Sequence, residues 1–339
     1  MSNEQPFYLT QNTGLGVATP ADDLLHPEQN RGITADSLTE TQYFGFSIPE
    51  ERIHGMGYLW HRPNLGIVTG GIWAWQGVKT MTVASELFDI RGFMNDSALA
   101  NDLHEYQLEN SYGVRVIEPL KRHHMRYEDA ARGNRVDLEY SAVTPAVMFG
   151  DGRHFEQSMR VRGELTMRGK THRVDGYTIR DRSWGKPRPE LPMGMPPLSW
   201  MTCTFNDDFA INVNITDHVG SNAQASGAFA VPVERALNGG WVYRNGRVTR
   251  IVSGHKQIER DPQTLVPRKI IVDVVDEAGQ ALRMSGSLLA SCPWSTWPNV
   301  AMMISLMRWE CEGLVGHGDC QEAMWSDYVN AHLQPSFKL

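Results

Sequence analysis

Short alternating stretches dominate the chain. Arg160 to Thr166 (RVRGELT) alternates apolar and polar positions, Arg168-Gly169-Lys170 supplies a turn, and Thr171 to Arg182 returns beside it. That pattern predicts a β-hairpin. Trp241 to Ile251 (WVYRNGRVTRI) predicts a second, because Asn245-Gly246 supplies the positive φ angles of a two-residue type I′ turn. Arg268 to Asp276 and Ala281 to Leu289 flank Glu277-Ala278-Gly279-Gln280 as a third, and Phe209 to Thr216 (FAINVNIT) reads as a further strand. Helical periodicity is scarce. Residues 1–35 read as a polar arm with one short helix near Ala21 to Leu25, and Asn95 to Leu108 opens like a helix with an Asn or Asp cap, as short as a turn or two. Asp327 and Tyr328 fall in an expected last strand. Many short strands and few helices predict an all-β, mainly antiparallel fold of sandwiches or barrels.

Gly185 to Pro197 (GKPRPELPMGMPP) marks the best boundary, because its five prolines cannot occupy a sheet interior. It leaves an arm (1–35), an N-terminal β-domain (36–187) and a C-terminal β-domain (188–339), expected to lie side by side. A cleft between domains, or the mouth of a barrel, is then the expected ligand site.

Composition narrows the function. With 339 residues, 41% hydrophobic, 21% charged and a net charge of −7, the chain suits a folded protein and lacks the concentrated basic face of a nucleic-acid binder. Its densest basic run, Lys121-Arg122-His123-His124-Met125-Arg126, reads as a solvated strand. No stretch matches a leader or a membrane span. Cys203, Cys292, Cys311 and Cys320 fit neither a disulfide framework nor a metal site, so free thiols and a cytoplasmic location are expected. No dinucleotide or phosphate loop, nucleophile elbow or HExxH metal motif occurs, so neither cofactor nor metal is expected. A homodimer is compatible with the sequence.

Chemistry concentrates in VDGYTIRDRSWG, Val174 to Gly185. On a strand, Tyr177, Ile179, Asp181 and Ser183 share one face and Arg180, Arg182 and Trp184 the other. Two readings stand: a buried Arg–Asp clasp between the domains, or a site floor in which Asp181 or an arginine touches substrate. Ile53 to Asn64 (IHGMGYLWHRPN) adds His54, Tyr58, Trp60 and His61, with His61 pointing away from Tyr58 and Trp60. With Tyr43 and Trp73, this aromatic region suits either an apolar pocket or an ordinary core. His123, His124 and His154 are further titratable candidates, and His154 shares a face with Glu156.

TETQYFGFSIP, GYLWHRPNLG, HFEQSMRVRGEL, VDGYTIRDRSWG and GHGDCQEAMWSDYV together resemble a bacterial family marked by a G-x-x-x-R-D-x-SWG block. Here that block is Gly176, Arg180, Asp181, Ser183, Trp184 and Gly185. The resemblance covers about residues 36–330. At fold level the family is similar to two-domain lipocalin-like proteins: carotenoid hydratases of the hydroxyneurosporene synthase type, AttH-like proteins and fungal Diels–Alderases. The resemblance implies two lipocalin-like β-barrel or sandwich domains and an apolar small-molecule ligand bound without a cofactor. It also implies hydration, cyclisation or elimination chemistry, extending to a lyase on a lignin-type aromatic dimer.

The resulting expectation is a cofactor-independent lyase, hydratase or isomerase acting on an aromatic or isoprenoid molecule. Asp181, Tyr58, His61 and Arg182 are the candidate catalytic residues. Tyr43, Trp60, Trp73, Tyr177, Arg180, Trp184 and His154 are candidates for binding. The alternative is a non-catalytic carrier of a hydrophobic ligand.

Overall fold

The computed structural model describes residues 15–188, 190 and 194–333. They divide into two compact units, one holding residues 15–76 and 85–188, the other 77–84, 190 and 194–333.

The strands of the first unit are β1 (Leu15–Val17), β2 (Leu38–Ile48), β3 (Ile53–Arg62), β4 (Ile67–Gln76), β5 (Leu87–Asn95), β6 (Glu105–Gln107), β7 (Gly113–Glu118), β8 (Arg122–Asp129), β9 (Asn134–Ala142), β10 (Val147–Phe149), β11 (His154–Met167) and β12 (Lys170–Pro187). They form one antiparallel sheet in the order β5-β4-β3-β2-β12-β11-β9-β8-β7-β6, with β10 on β11 and β1 on β10. The sheet curls until its ends approach. Tyr127 of β8 donates a hydrogen bond to Asp89 of β5 at 3.0 Å, and the Asn110 amide donates to the Gly70 and Asp89 carbonyls. The inner face encloses a core that includes Phe44, Phe46, Leu59, Ile72, Tyr112, Met125, Leu138 and Val161. All eleven residues of β2 are buried, on both faces, which is why LTETQYFGFSI shows no clean alternation.

The second unit is a closed eight-stranded barrel, β13 (Leu198–Asn206), β14 (Phe209–Thr216), β15 (Leu237–Arg244), β16 (Arg247–Arg260), β17 (Pro267–Asp276), β18 (Ala281–Trp297), β19 (Val300–Cys311) and β20 (Leu314–Trp325). Closure satisfies every strand edge. The expected hairpins are present, and Asn245 and Gly246 have φ of 49° and 82°, as their turn requires. The fold is thus all-β and antiparallel, in two β-domains.

Several local expectations are corrected. Of the helix that Asn95–Leu108 opens like, only the first capped turn forms. Asn95 caps a 3₁₀ turn over Asp96–Leu99, accepting from the Ser97 N–H at 2.8 Å, but Asp102 and Leu103 take positive φ and the chain continues as β6. Asp327 and Tyr328 lie in a terminal helix, α2 (Ser326–Leu333), not in a last strand. Tyr328 packs there with Leu265, Met303 and Met324, and that tertiary contact decides a segment with no strong pattern. Residues 77–84 join the barrel unit, where Val78 bridges Ser291 of β18 and the Thr82 hydroxyl donates to the Pro293 carbonyl. The 121–126 run is not a solvated strand, because His123, His124 and Met125 are buried.

The four cysteines are buried free thiols. No helix among the described residues is long and apolar enough to cross a membrane.

Candidate active site

The two faces of β12 carry different chemistry. Arg180, Arg182 and Trp184 point inward. The outer face presents Asp181 and Ser183.

The inner face is a clasp within one unit. Arg180 donates to the Asp23 carboxylate and, at 2.6 Å, to Nε2 of His123. Arg182 donates to the Asp23 carbonyl at 2.7 Å and to Glu40 at 3.0 Å. Glu40 also accepts from the His26 backbone N–H and the Asn30 amide. Asp23 ends a 3₁₀ turn, Pro20–Asp23, and His26 precedes α1 (Pro27–Asn30), so residues 20–30 of the expected arm are docked. The His26 ring stacks on Trp184 at 3.8 Å, and the Trp184 indole N–H donates to Gln29. Burial opposes ionisation of Asp23, but the buried Arg180 guanidinium holds its carboxyl well below the usual range. Burial lowers the Arg182 pKa, against the pull of Glu40. These charges are buried and paired, which is the condition for tolerating them in a core. Arg180, Arg182 and Trp184 therefore serve the clasp, and the clasp is not an interdomain one: all these partners lie in the same unit.

The outer face is different. Cross-strand register places Glu156 opposite Asp181, Asp181 opposite Tyr43, and Tyr43 opposite Tyr58. One step along, His154 faces Ser183, Ser183 faces Thr41, and Thr41 faces Trp60. Side chains directly opposite on one face lie within interaction range, so these eight residues form one patch. Thr41 and Ser183 hydroxyls are 2.7 Å apart. Nε2 of His154 lies 3.1 Å from Glu156, and the His154 side chain is 25% exposed.

The end of β12 brings in one more group. Gly185 has φ of 69°, and the ladder slips between Ser183 and Lys186. The chain then turns so that the Arg188 guanidinium donates to the Ser183 hydroxyl and reaches Tyr58. A residue with a side chain at 185 would be strained, and its Cβ would meet Arg153 at 3.1 Å.

Burial is the largest influence on the electrostatics of the patch. Asp181 accepts no hydrogen bond from protein among the described residues. Burial, reinforced by Glu156, pushes its carboxyl up to about 6, against the pull of His154, Arg188 and Arg180. Burial disfavours the His154 imidazolium, but the hydrogen bond and charge of Glu156 outweigh it and raise its pKa. Burial pushes Tyr58 up to about 12, so it stays a phenol at neutral pH. An acid and a base tuned toward neutrality, side by side, are equipped for proton transfer.

The other expected site residues divide. His61 points inward and lies 3.1 Å from Asp96 through Nε2, apart from the patch. Trp60 lies on the outer face beneath the Arg62 guanidinium at 4.6 Å. Trp73 shares that face but packs on Trp75 at 4.3 Å, and its indole N–H donates to Ser85 at 2.6 Å, farther along the wall. Tyr177 lies four residues along β12 from Asp181, under Arg160 at 4.7 Å. Arg188 was hidden by the proline-rich boundary that contains it. Asp23 and His26 were hidden in the aperiodic arm. Glu156 had one signal, the H-x-E spacing that puts it on the face of His154.

The barrel unit holds a second buried cluster. Lys256 and Arg260 of β16 meet Asp217 at 2.8 and 2.7 Å, and Arg260 meets Glu322 of β20 at 2.7 Å. Two cations face two carboxylates in full burial. Among the described residues, no group of three or more His, Cys, Asp or Glu side chains is placed to hold a metal ion.

This chain belongs to the family described as "Domain of unknown function (DUF7064)", whose model matches residues 19–327. No curated protein matches the sequence. Solved structures match in fold. Kievitone hydratase from Nectria haematococca is 10% identical with a TM-score of 0.52, covering 94% of this chain and 98% of its own. A putative AttH from Nitrosomonas europaea is 11% identical with a TM-score of 0.50, covering 91% and 98%. CghA is 9% identical with a TM-score of 0.53, covering 85% and 88%. These likenesses place the chain in the two-domain lipocalin-like fold.

Proposed function

We propose that the protein is a lyase of the hydratase or dehydratase type, acting on an apolar aromatic or isoprenoid small molecule through its own acid and base side chains. The observation that carries this reading is Asp181: a carboxyl raised to about 6, accepting no protein hydrogen bond among the described residues, beside the His154–Glu156 pair.

The protonation states set the direction in which the pair is primed. At neutral pH most Asp181 is ionised, while the raised pKa of His154 keeps a share of imidazolium. Glu156 holds Nε2 of His154, leaving Nδ1 to face a substrate. In elimination, the Asp181 carboxylate takes a proton from carbon and the His154 imidazolium protonates the departing oxygen. In hydration the same two groups work in reverse, with neutral His154 taking a proton from the attacking water and protonated Asp181 giving its proton to carbon. Tyr43, Tyr58, Trp60 and Phe149 offer apolar surface around them, with Phe149 5.5 Å from the His154 ring. The likeness in fold to a structure named as a hydratase is in keeping with this reading.

The test is incubation of the purified protein with lignin-type aromatic dimers, steroids and isoprenoids, read by mass spectrometry. The expected result is loss or gain of water, abolished in Asp181→Asn; loss of formaldehyde would make the protein a carbon–carbon lyase instead. A compound that raises the melting temperature but is always recovered intact would make the protein a carrier instead.

A further inference from the structure

We propose that Arg188 and Tyr58 form an anion-stabilising pocket for a substrate oxygen, so that the substrates are carbonyl compounds or phenols whose oxygen is conjugated to the reacting carbons. This rests on the acid–base role of Asp181 and His154 and specifies what they act upon.

The placement follows from the end of β12. Arg188 is brought back over the outer face by the turn at Gly185, and it contacts Ser183 and Tyr58. Tyr58 is also hydrogen-bonded to Thr41, and Thr41 to Ser183 at 2.7 Å. Two hydroxyls thus buttress the phenol and the guanidinium from below. Both are donors next to Asp181, the group that exchanges a proton with carbon. Neither is needed to move that proton. A guanidinium and a protonated phenol beside a carbon base are the groups that stabilise negative charge arriving on oxygen as a carbon–hydrogen bond breaks. A substrate oxyanion entering between them replaces the single charge-assisted Arg188–Tyr58 hydrogen bond with two.

The step balances without a further reactant. The Asp181 carboxylate takes the proton α to a carbonyl, and the carbon–hydrogen electron pair moves through carbon to the carbonyl oxygen, giving an enolate held by Arg188 and Tyr58. The enolate collapses to a conjugated double bond and expels hydroxide from the β carbon, which leaves as water with the His154 proton. Asp181 returns its proton, and His154 regains one, by exchange with solvent. A phenol with a para side chain reaches the conjugated product in the opposite order: the bound phenolate expels hydroxide from the benzylic carbon, which leaves as water with the His154 proton and gives a quinone methide, and Asp181 then takes the proton from the neighbouring carbon, returning that electron pair to the phenolate oxygen held by Arg188 and Tyr58. An isolated alkene offers no oxygen for the pocket.

A binding measurement tests this apart from turnover. Para-nitrophenol, titrated with the protein near neutral pH, reports by absorbance whether it binds as phenolate, and para-nitroanisole is the neutral control. The expected result is preferential binding of the phenolate, with its apparent pKa lowered on the protein. Arg188→Gln and Tyr58→Phe should each weaken it about tenfold to a hundredfold. Asp181→Asn should retain it. Thermal melting of each variant confirms that it is folded, and Arg188→Lys should restore part of the preference by charge alone. Equal binding of both probes, or phenolate binding indifferent to Arg188 and Tyr58, overturns the pocket. Conversion of isolated alkenes with undiminished rate in Arg188→Gln overturns it too and leaves the lyase reading standing. Arg188-dependent phenolate binding alongside an Asp181→Asn variant of full activity upholds the pocket and sinks the acid–base reading.

Discussion

Asp181 and Arg182 are neighbours in sequence and work on opposite faces of one strand. Arg182 donates inward to Glu40 at 3.0 Å, while Asp181 faces outward opposite Glu156 and Tyr43. Their variants should therefore fail in different ways. Asp181→Asn keeps the shape and removes the proton carrier, so turnover should fall about a hundredfold or more with the melting temperature preserved. Arg182→Met leaves Glu40 buried without its cation, which should cost about 3–5 kcal/mol in urea unfolding. Equal loss of stability in both variants would put Asp181 in the clasp.

The pH dependence of turnover should be bell-shaped. In the elimination direction Asp181 must be ionised, so the rate climbs as pH rises through about 6. His154 must carry its proton, so the rate falls again above the ordinary histidine value of 6.5, from which Glu156 raises it. His154→Gln should lower the maximum and erase the basic limb while leaving the acid limb in place. A profile flat from roughly one unit below the first of these values to roughly two units above the second would remove both groups from the rate-limiting step. Asp181 acts on stability with the opposite slope. Its folded pKa is above the unfolded value of 3.8, so its contribution is full below that value and is lost as pH rises through about 6. Asp181→Asn should therefore match or exceed the native protein in stability at neutral pH.

His123 should govern stability on the acid side. It accepts from Arg180, so it is neutral with its proton on Nδ1, and burial and Arg180 lower its pKa to about 4. The unfolded chain binds that proton from 6.5 downward, and the folded chain does not until about 4. The contribution is thus complete above pH 6.5 and lost as pH falls to about 4. The shift corresponds to roughly 3 kcal/mol. Chemical denaturation across that window should show the slope, and His123→Gln should flatten it. Asp23, held low by the same cluster, adds a further loss below its unfolded value of 3.8. Activity at neutral pH should be less sensitive to His123→Gln than to Asp181→Asn.

What could be read from the chain depended on whether a residue's role is local. Hairpins announce themselves through alternation and turn chemistry, so β11–β12, β15–β16 and β17–β18 were legible. The division of charges in RDRS between two faces was legible for the same reason. Partners were not. Asp23 meets Arg180 across more than a hundred and fifty positions, and nothing in a polar arm distinguishes a buried aspartate from a solvated one. His61 illustrates the limit from the other side. Alternation placed it away from Tyr58, yet its residue type kept it among the candidates. Arg188 lay in a segment that proline content marked as linker, and only the turn at Gly185 brings it back to Tyr58.

The barrel carries its own test of paired burial. Lys256 donates to Ser199 and lies 2.8 Å from Asp217, while Arg260 spans Asp217 and Glu322. Burial opposes ionisation of Asp217, but Arg260 and Lys256 hold its carboxyl well below the usual range. Ser199 in turn donates to Glu322 at 2.7 Å, so the four charges are joined in one ring of contacts. A serine beside a lysine invites a nucleophilic reading, but Lys256 and Ser199 are both fully buried and the lysine is engaged by a carboxylate. The cluster therefore reads as structural. Lys256→Met should cost about 3–5 kcal/mol, because it strips a cation from a buried carboxylate pair. The double variant Lys256→Met, Asp217→Asn should be less destabilised than the sum of the singles, by about 0.5–3 kcal/mol, since the two removed groups are each other's partners. Turnover measured below the melting transition should be unchanged in all three. Strict additivity would mean that the two groups do not interact, and a selective loss of turnover in Lys256→Met would move the chemistry into the barrel.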